Sequence, residues 1–139
     1  MGIFSRSPVP CDKGALLIVD DEAQIRSLFD MVVKNAFPGI RIDQACNGLE
    51  AVRSFQEKHH GVIIMDLRMP VMDGLQAFLS IERMCHDENI QMPAVVFCTG
   101  FSPPETVNQI VASGQRHILL RKPPQSADLV QAITASLKA

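Results

Sequence analysis

The chain has 139 residues, 47% of them hydrophobic and 20% charged, with a formal net charge of −2. That length suits one domain able to bury a core without disulfide or metal staples, and the near-neutral balance argues against direct nucleic acid binding or attraction to an anionic membrane. The four cysteines, Cys11, Cys46, Cys85 and Cys98, form no CxxC pair, which fits a reducing cytoplasm, and no apolar run approaches the roughly 20 residues that span a bilayer.

Residues 1–14 hold Pro8 and Pro10 with little periodicity, so they read as a flexible N-terminal arm. The opening MGIFSR places Arg6 where a myristoylation signal needs Ser or Thr. An apolar strand follows over residues 15–19 and ends in Asp20, Asp21 and Glu22. Ile25, Leu28, Phe29, Val32 and Ala36 then recur at helical spacing until Phe37-Pro38-Gly39 stops them. Residues 40–45 alternate as a second strand, and Asn47-Gly48 turns the chain into a helix carrying Leu49, Val52 and Phe55. His59-His60-Gly61 closes that helix, where a partly charged imidazole suits the helix dipole.

Val62, Ile63, Ile64 and Met65 form an unbroken apolar run too short for a helix, which predicts a strand buried on both faces. It ends in Asp66, and a loop with Met69-Pro70 and Asp73-Gly74 leads to a helix over residues 75–84. A fourth strand occupies residues 94–99. Ser102-Pro103-Pro104-Glu105 offers a capping side chain, Pro in the first turn and Glu three residues after the cap, so a helix is expected from there to Ser113. A fifth strand, residues 117–120, leads to Arg121-Lys122-Pro123-Pro124, and a last helix spans residues 126–137. Strands alternating with helices imply an α/β fold, a parallel sheet with right-handed crossovers covering both faces.

In such a sheet the carboxyl ends of the strands share one edge, and ligands bind there. If the first, third, fourth and fifth strands are neighbours, Asp20, Asp21, Asp66, Thr99 and Lys122 meet in one crevice. Like charges about 4 Å apart repel by roughly 4 kcal/mol at an effective dielectric of 20, so three carboxylates together call for a cation. All-oxygen ligands suit Mg²⁺, and the set describes a phosphoryl site with a metal, an ammonium, a hydroxyl and a nucleophilic carboxylate. Each residue also has a plainer use. Asp21 with Gln24, Asn47 with Glu50, Asp73 with Gln76 and Ser102 with Glu105 all fit capping-box spacing. Thr99 suits any strand, and a lone lysine is usually solvated. Asp66 is harder to account for in that way, because it closes an apolar strand and caps nothing.

From residue 15 to residue 137 the sequence resembles the receiver domains of two-component response regulators. The landmarks are LLIVDDE at residues 16–22, IIMDLRMPVMDG at 63–74, CTG at 98–100 and RKP at 121–123. The resemblance implies a flavodoxin-like doubly wound sheet of strand order 2-1-3-4-5, with a receiver domain over residues 15–139. It implies that Asp66 accepts a phosphoryl group from a sensor histidine kinase or histidine phosphotransfer protein. Asp21 would ligate Mg²⁺ directly, Asp20 mainly through water, and the Arg68 backbone carbonyl would add a ligand. Lys122 would pair with the phosphoryl group, with a cis bond to Pro123, and Thr99 would move in to hydrogen-bond it.

The expected output is a change in the surface made by the fourth helix, fifth strand and fifth helix. That surface would control a downstream protein, an output domain outside this chain, or a homodimer. Leu119 stands where the family usually carries an aromatic rotamer switch, so coupling is expected through the backbone after Thr99 and the fourth helix. Arg68 and Phe101 flank the position where family members tune loss of the phosphoryl group. Two other readings stay open. A phosphatase of the haloacid-dehalogenase type would need a DxD pair after the first strand, which adjacent Asp20-Asp21 does not supply; a pseudo-receiver that only binds partners would not need the full site set.

Overall fold

The computed structural model describes residues 7–114 and 116–138. Elements alternate along the chain as β1 (Asp12–Val19), α1 (Ala23–Ala36), β2 (Arg41–Ala45), α2 (Gly48–Lys58), β3 (His60–Asp66), α3 (Gly74–Glu88), β4 (Ala94–Thr99), α4 (Glu105–Ala112), β5 (Ile118–Arg121) and α5 (Ser126–Lys138). The strands form one parallel sheet in the order β2-β1-β3-β4-β5. Chain order reverses between β1 and β3, which opens a crevice at their carboxyl ends.

Period-two alternation divides the core. Leu17, Val19, Ile63, Met65, Val95 and Phe97 face one side, with Phe55, Phe78 and Val107 from α2, α3 and α4. Leu16, Ile18, Val62, Ile64 and Val96 face the other, against Phe29 and Val33 of α1 and Leu129 and Ile133 of α5. Both faces of β3 are therefore covered, as its unbroken apolar run demands. The register pairs Val19 with Met65, Asp66 with Cys98 and Thr99 with Arg121. Strand ends that carry polar residues are thus level with one another.

Several expected boundaries move. β1 begins at Asp12, and Val9 bridges in parallel to Ile90, accepting from the Gln91 N–H at 2.8 Å and donating to the Asn89 carbonyl at 2.9 Å. The end of the expected arm is consequently tied down by the Val9 bridge and by β1 from Asp12, with Cys11 packed against the core and its N–H given to the Gln91 side chain. Residues 1–6, with the MGIFSR stretch, lie outside the described residues. His59 ends α2 in the left-handed conformation, but His60 belongs to β3 and is 0% exposed, its Nε2 2.7 Å from Asp43. Burial pushes the His60 pKa down against the pull of Asp43, the opposite of a charged helix-end imidazole.

Ser102 does not cap a helix, since α4 starts after Pro104, two residues later. Asp21 does not cap α1 either; Glu22 occupies that place. α3 continues past Met84 to Glu88 and stops at left-handed Asn89. Among the described residues no helix is long and apolar enough to cross a membrane.

Candidate phosphoryl site

Asp20 follows β1 and Asp66 ends β3, and both carboxylates are almost sealed, at 1% and 6% exposure. Asp21, beside them, is exposed. One carboxylate oxygen from each of the three lies within 4.8 Å of the others. Lys122 reaches in from beyond β5, its Nζ 2.6 Å from Asp20 Oδ2 and 3.3 Å from Asp66 Oδ2. Thr99, buried at the end of β4, accepts from the Phe101 N–H at 3.2 Å through its hydroxyl oxygen. Its carbonyl accepts from the Lys122 N–H at 2.8 Å, and the Lys122–Pro123 bond is cis. All five polar residues of the expected set therefore meet at one edge. Arg68 stands at the rim, its guanidinium 4.2 Å from the centre of the Phe101 ring.

Two glycines let the backbone close around Asp66. A Cβ on Gly74 would collide with the Asp66 carbonyl, and the Gly74 N–H donates to the Leu67 carbonyl at 3.0 Å. At the start of α2, Gly48 donates its N–H to the Met72 carbonyl at 2.9 Å, and a Cβ there would sit 2.5 Å from that same oxygen. Between these clamps Val71 has φ +70° inside a three-residue turn closed by the Met72 N–H on the Pro70 carbonyl. Asp73 then caps α3 with a full capping box, trading hydrogen bonds with Gln76. Beside the loop a cavity of about 410 Å³ is bordered by Arg68, Met69, Asp73, Thr99, Phe101 and Ser102.

Burial raises the Asp66 pKa, the charge of Asp20 raises it further, and Lys122 with the Arg68 N–H pulls it back. Burial would lower the Lys122 pKa, but hydrogen bonds and charge from Asp20 and Asp66 outweigh it and hold the ammonium above its usual value. Three carboxylates and one ammonium leave two negative charges in the cluster. Hard oxygen donors around an uncompensated charge of two fit a divalent cation such as Mg²⁺.

Sequence reasoning did not single out Arg26. Its Nη1 donates to the Asp20 carbonyl at 2.7 Å and its Nε to the Gln44 side chain on β2 at 3.1 Å. The available signal was a cation in the first turns of α1, the end a helix dipole disfavours for positive charge. Leu119 pairs with Phe97 and packs half-buried against the α2–α3–α4 side of the core, so no aromatic ring stands there.

Comparison with known proteins agrees with this geometry. A family description, response regulator receiver domain, matches residues 16–134. The chain is 30% identical over 123 residues to chemotaxis protein CheY of Listeria monocytogenes, covering 88% of this chain and 98% of that one. It is 37% identical over 102 residues to a protein-glutamate methylesterase/protein-glutamine glutaminase of Hahella chejuensis, where the match takes 71% of this chain but 27% of the other protein. A receiver domain protein from Clostridium thermocellum superposes with a TM-score of 0.71 at 26% identity, over 89% of this chain and 94% of that one. On sequence, fold and matched length together, the chain belongs to the response regulator receiver domain family.

Proposed function

We propose that Asp66 is the phosphoacceptor of a two-component switch, phosphorylated by a sensor histidine kinase or a histidine phosphotransfer protein. The observation that carries this reading is the double contact of Lys122 with Asp20 and Asp66 beside a third carboxylate. In the transfer, an Asp66 carboxylate oxygen bonds to phosphorus as the bond from phosphorus to the donor imidazole nitrogen breaks. The lysine would then exchange part of its contact with Asp66 for a phosphoryl oxygen, compensating charge that builds there. Thr99, whose oxygen already accepts from Phe101, keeps its hydroxyl proton for a phosphoryl oxygen. Asp20, Asp21, Asp66 and the Arg68 carbonyl would hold Mg²⁺, which when bound supplies charge neutralisation for the incoming phosphoryl group.

Readout is proposed through the backbone between Thr99 and α4, because Leu119 offers no ring to rotate. The α4, β5 and α5 surface would present the state to a downstream protein, an output domain or a second copy in the cytoplasm. The stacked Arg68 and Phe101 side chains would shield the acyl phosphate from water; Phe101→Ala should shorten its half-life severalfold in a phosphate-release assay after labelling. The reading itself is tested by incubation with acetyl phosphate and Mg²⁺ followed by mass measurement. Wild type should gain one phosphoryl group and Asp66→Asn none; a gain in both proteins would move the acceptor elsewhere.

A further inference from the structure

Asp20 is held by more groups than its carboxylate alone would need. Its side chain takes the Glu22 N–H at 2.9 Å and Lys122 at 2.6 Å, its own N–H donates to the Ala45 carbonyl at 3.1 Å, and its carbonyl takes Arg26 at 2.7 Å. The Arg26 contact differs from the others because the same guanidinium is aimed by a second element: its Nε donates to Gln44 on β2 at 3.1 Å. Gln44 in turn donates to Asp30 at 3.0 Å, and Asp30 pairs with Lys34 at 2.9 Å, both on α1. A polar chain therefore runs along α1 to β2 and ends on the backbone of the acidic loop.

We infer that Arg26 is a positioning residue for the metal-binding carboxylates, fixing the peptide between Asp20 and Asp21 so that both acids face the cation. Glu22, the N-cap residue of α1, makes no side-chain capping hydrogen bond. Two donors of one planar fork, spent on two different strands' termini, define an orientation as well as an attachment. Without Arg26, the Asp20 carbonyl loses its only side-chain donor among the described residues, and the Asp20–Asp21 peptide is held only through the Asp20 N–H and carboxylate. The exposed Asp21 carboxylate, which has no ion pair of its own among the described residues, should wander most.

This role rests on the divalent-cation reading of the site, and the test separates the two. Mn²⁺ affinity of the unphosphorylated full chain is followed by the loss of free-ion electron paramagnetic resonance signal, with urea midpoints and circular dichroism recorded without metal. Arg26→Ala should weaken Mn²⁺ binding about tenfold, the usual scale for a group that orients a metal ligand. Arg26→Lys, which keeps a donor for the carbonyl but cannot also hold Gln44, should recover part of the loss. Asp30→Ala cuts the far end of the same polar chain and should leave the affinity within twofold while lowering the urea midpoint. An unchanged Mn²⁺ affinity in a folded Arg26→Ala protein overturns the inference, as does an equal loss in Asp30→Ala. Absence of binding by wild type would instead remove the metal site itself, and this role with it.

Discussion

Val71 holds φ at +70° although it is β-branched, a conformation that costs an L-residue on the order of 1–2 kcal/mol. Its side chain is 76% exposed, so replacement forfeits little burial. Val71→Gly and Val71→Asn should both raise stability, by about 1 kcal/mol before the glycine variant's extra unfolded-state entropy is counted. Urea unfolding measures this, and equal midpoints for all three proteins would mean the turn is unstrained. His117 makes a second residue-level prediction. Buried edge-on against Phe78, with Nδ1 accepting from the Val95 N–H at 3.1 Å, it has its pKa held down to about 4, by burial first and by Arg116 second. The unfolded imidazole takes its proton below about 6.5, so between those values the unfolded chain binds more protons than the native one. Stability is full above the upper value and falls as pH drops through the window, by roughly 3 kcal/mol at its lower end. His60 works in the same direction. Urea midpoints at pH 7 and pH 4.5 should show the fall, and His117→Gln should flatten part of the slope even if it lowers the midpoint throughout.

Contacts between elements decide where the acidic edge is rigid. α2 begins with its backbone pressed on the loop after Asp66, and the Gly48 Cβ position is blocked by the carbonyl oxygens of Met72 and Asp73, neither of which is a yielding side-chain tip. Gly48→Ala should therefore destabilise by roughly 1–3 kcal/mol, the range of overpacked sites, and urea titration would detect it. β3 and β4 were legible from sequence because an unbroken apolar run closed by a polar residue has one sensible place in a parallel sheet. Asn47 and Asp73 were legible as caps for a local reason, since each takes the N–H three residues on; Asp73 also completes the box with Gln76, whereas the Glu50 side chain takes the Cys46 N–H instead. Ser102 has the same spacing, yet the helix begins two residues later, after consecutive prolines. The paired N-terminal segment and buried His60 were hidden because their partners are distant: Cys11 meets Gln91 and His60 meets Asp43. Arg26 escaped notice for a related reason, since its acceptor is a carbonyl, to which residue type gives no clue.

At the scale of the whole molecule, the fold concentrates three carboxylates and one ammonium at one edge. Lys122 offsets one of three carboxylates, and the remainder is a native-state cost that the unfolded chain, with its acids dispersed, does not bear. Divalent cation should then stabilise the protein by mass action: at a hundredfold excess over its dissociation constant the gain is about 2.7 kcal/mol. For a chain of this length that corresponds to a rise in Tm of roughly 10 °C, reversed by a chelator. Asp21→Asn removes a negative charge and weakens a ligand, and the two effects are read separately, by melting without metal and by the gain on adding Mg²⁺. The variant should melt higher than wild type without metal and gain much less when Mg²⁺ is added. If it melts lower than wild type without metal and responds to Mg²⁺ to the same extent, the exposed acid is neither a source of strain nor a ligand. The charge balance of the site would then rest on Asp20, Asp66 and Lys122 alone.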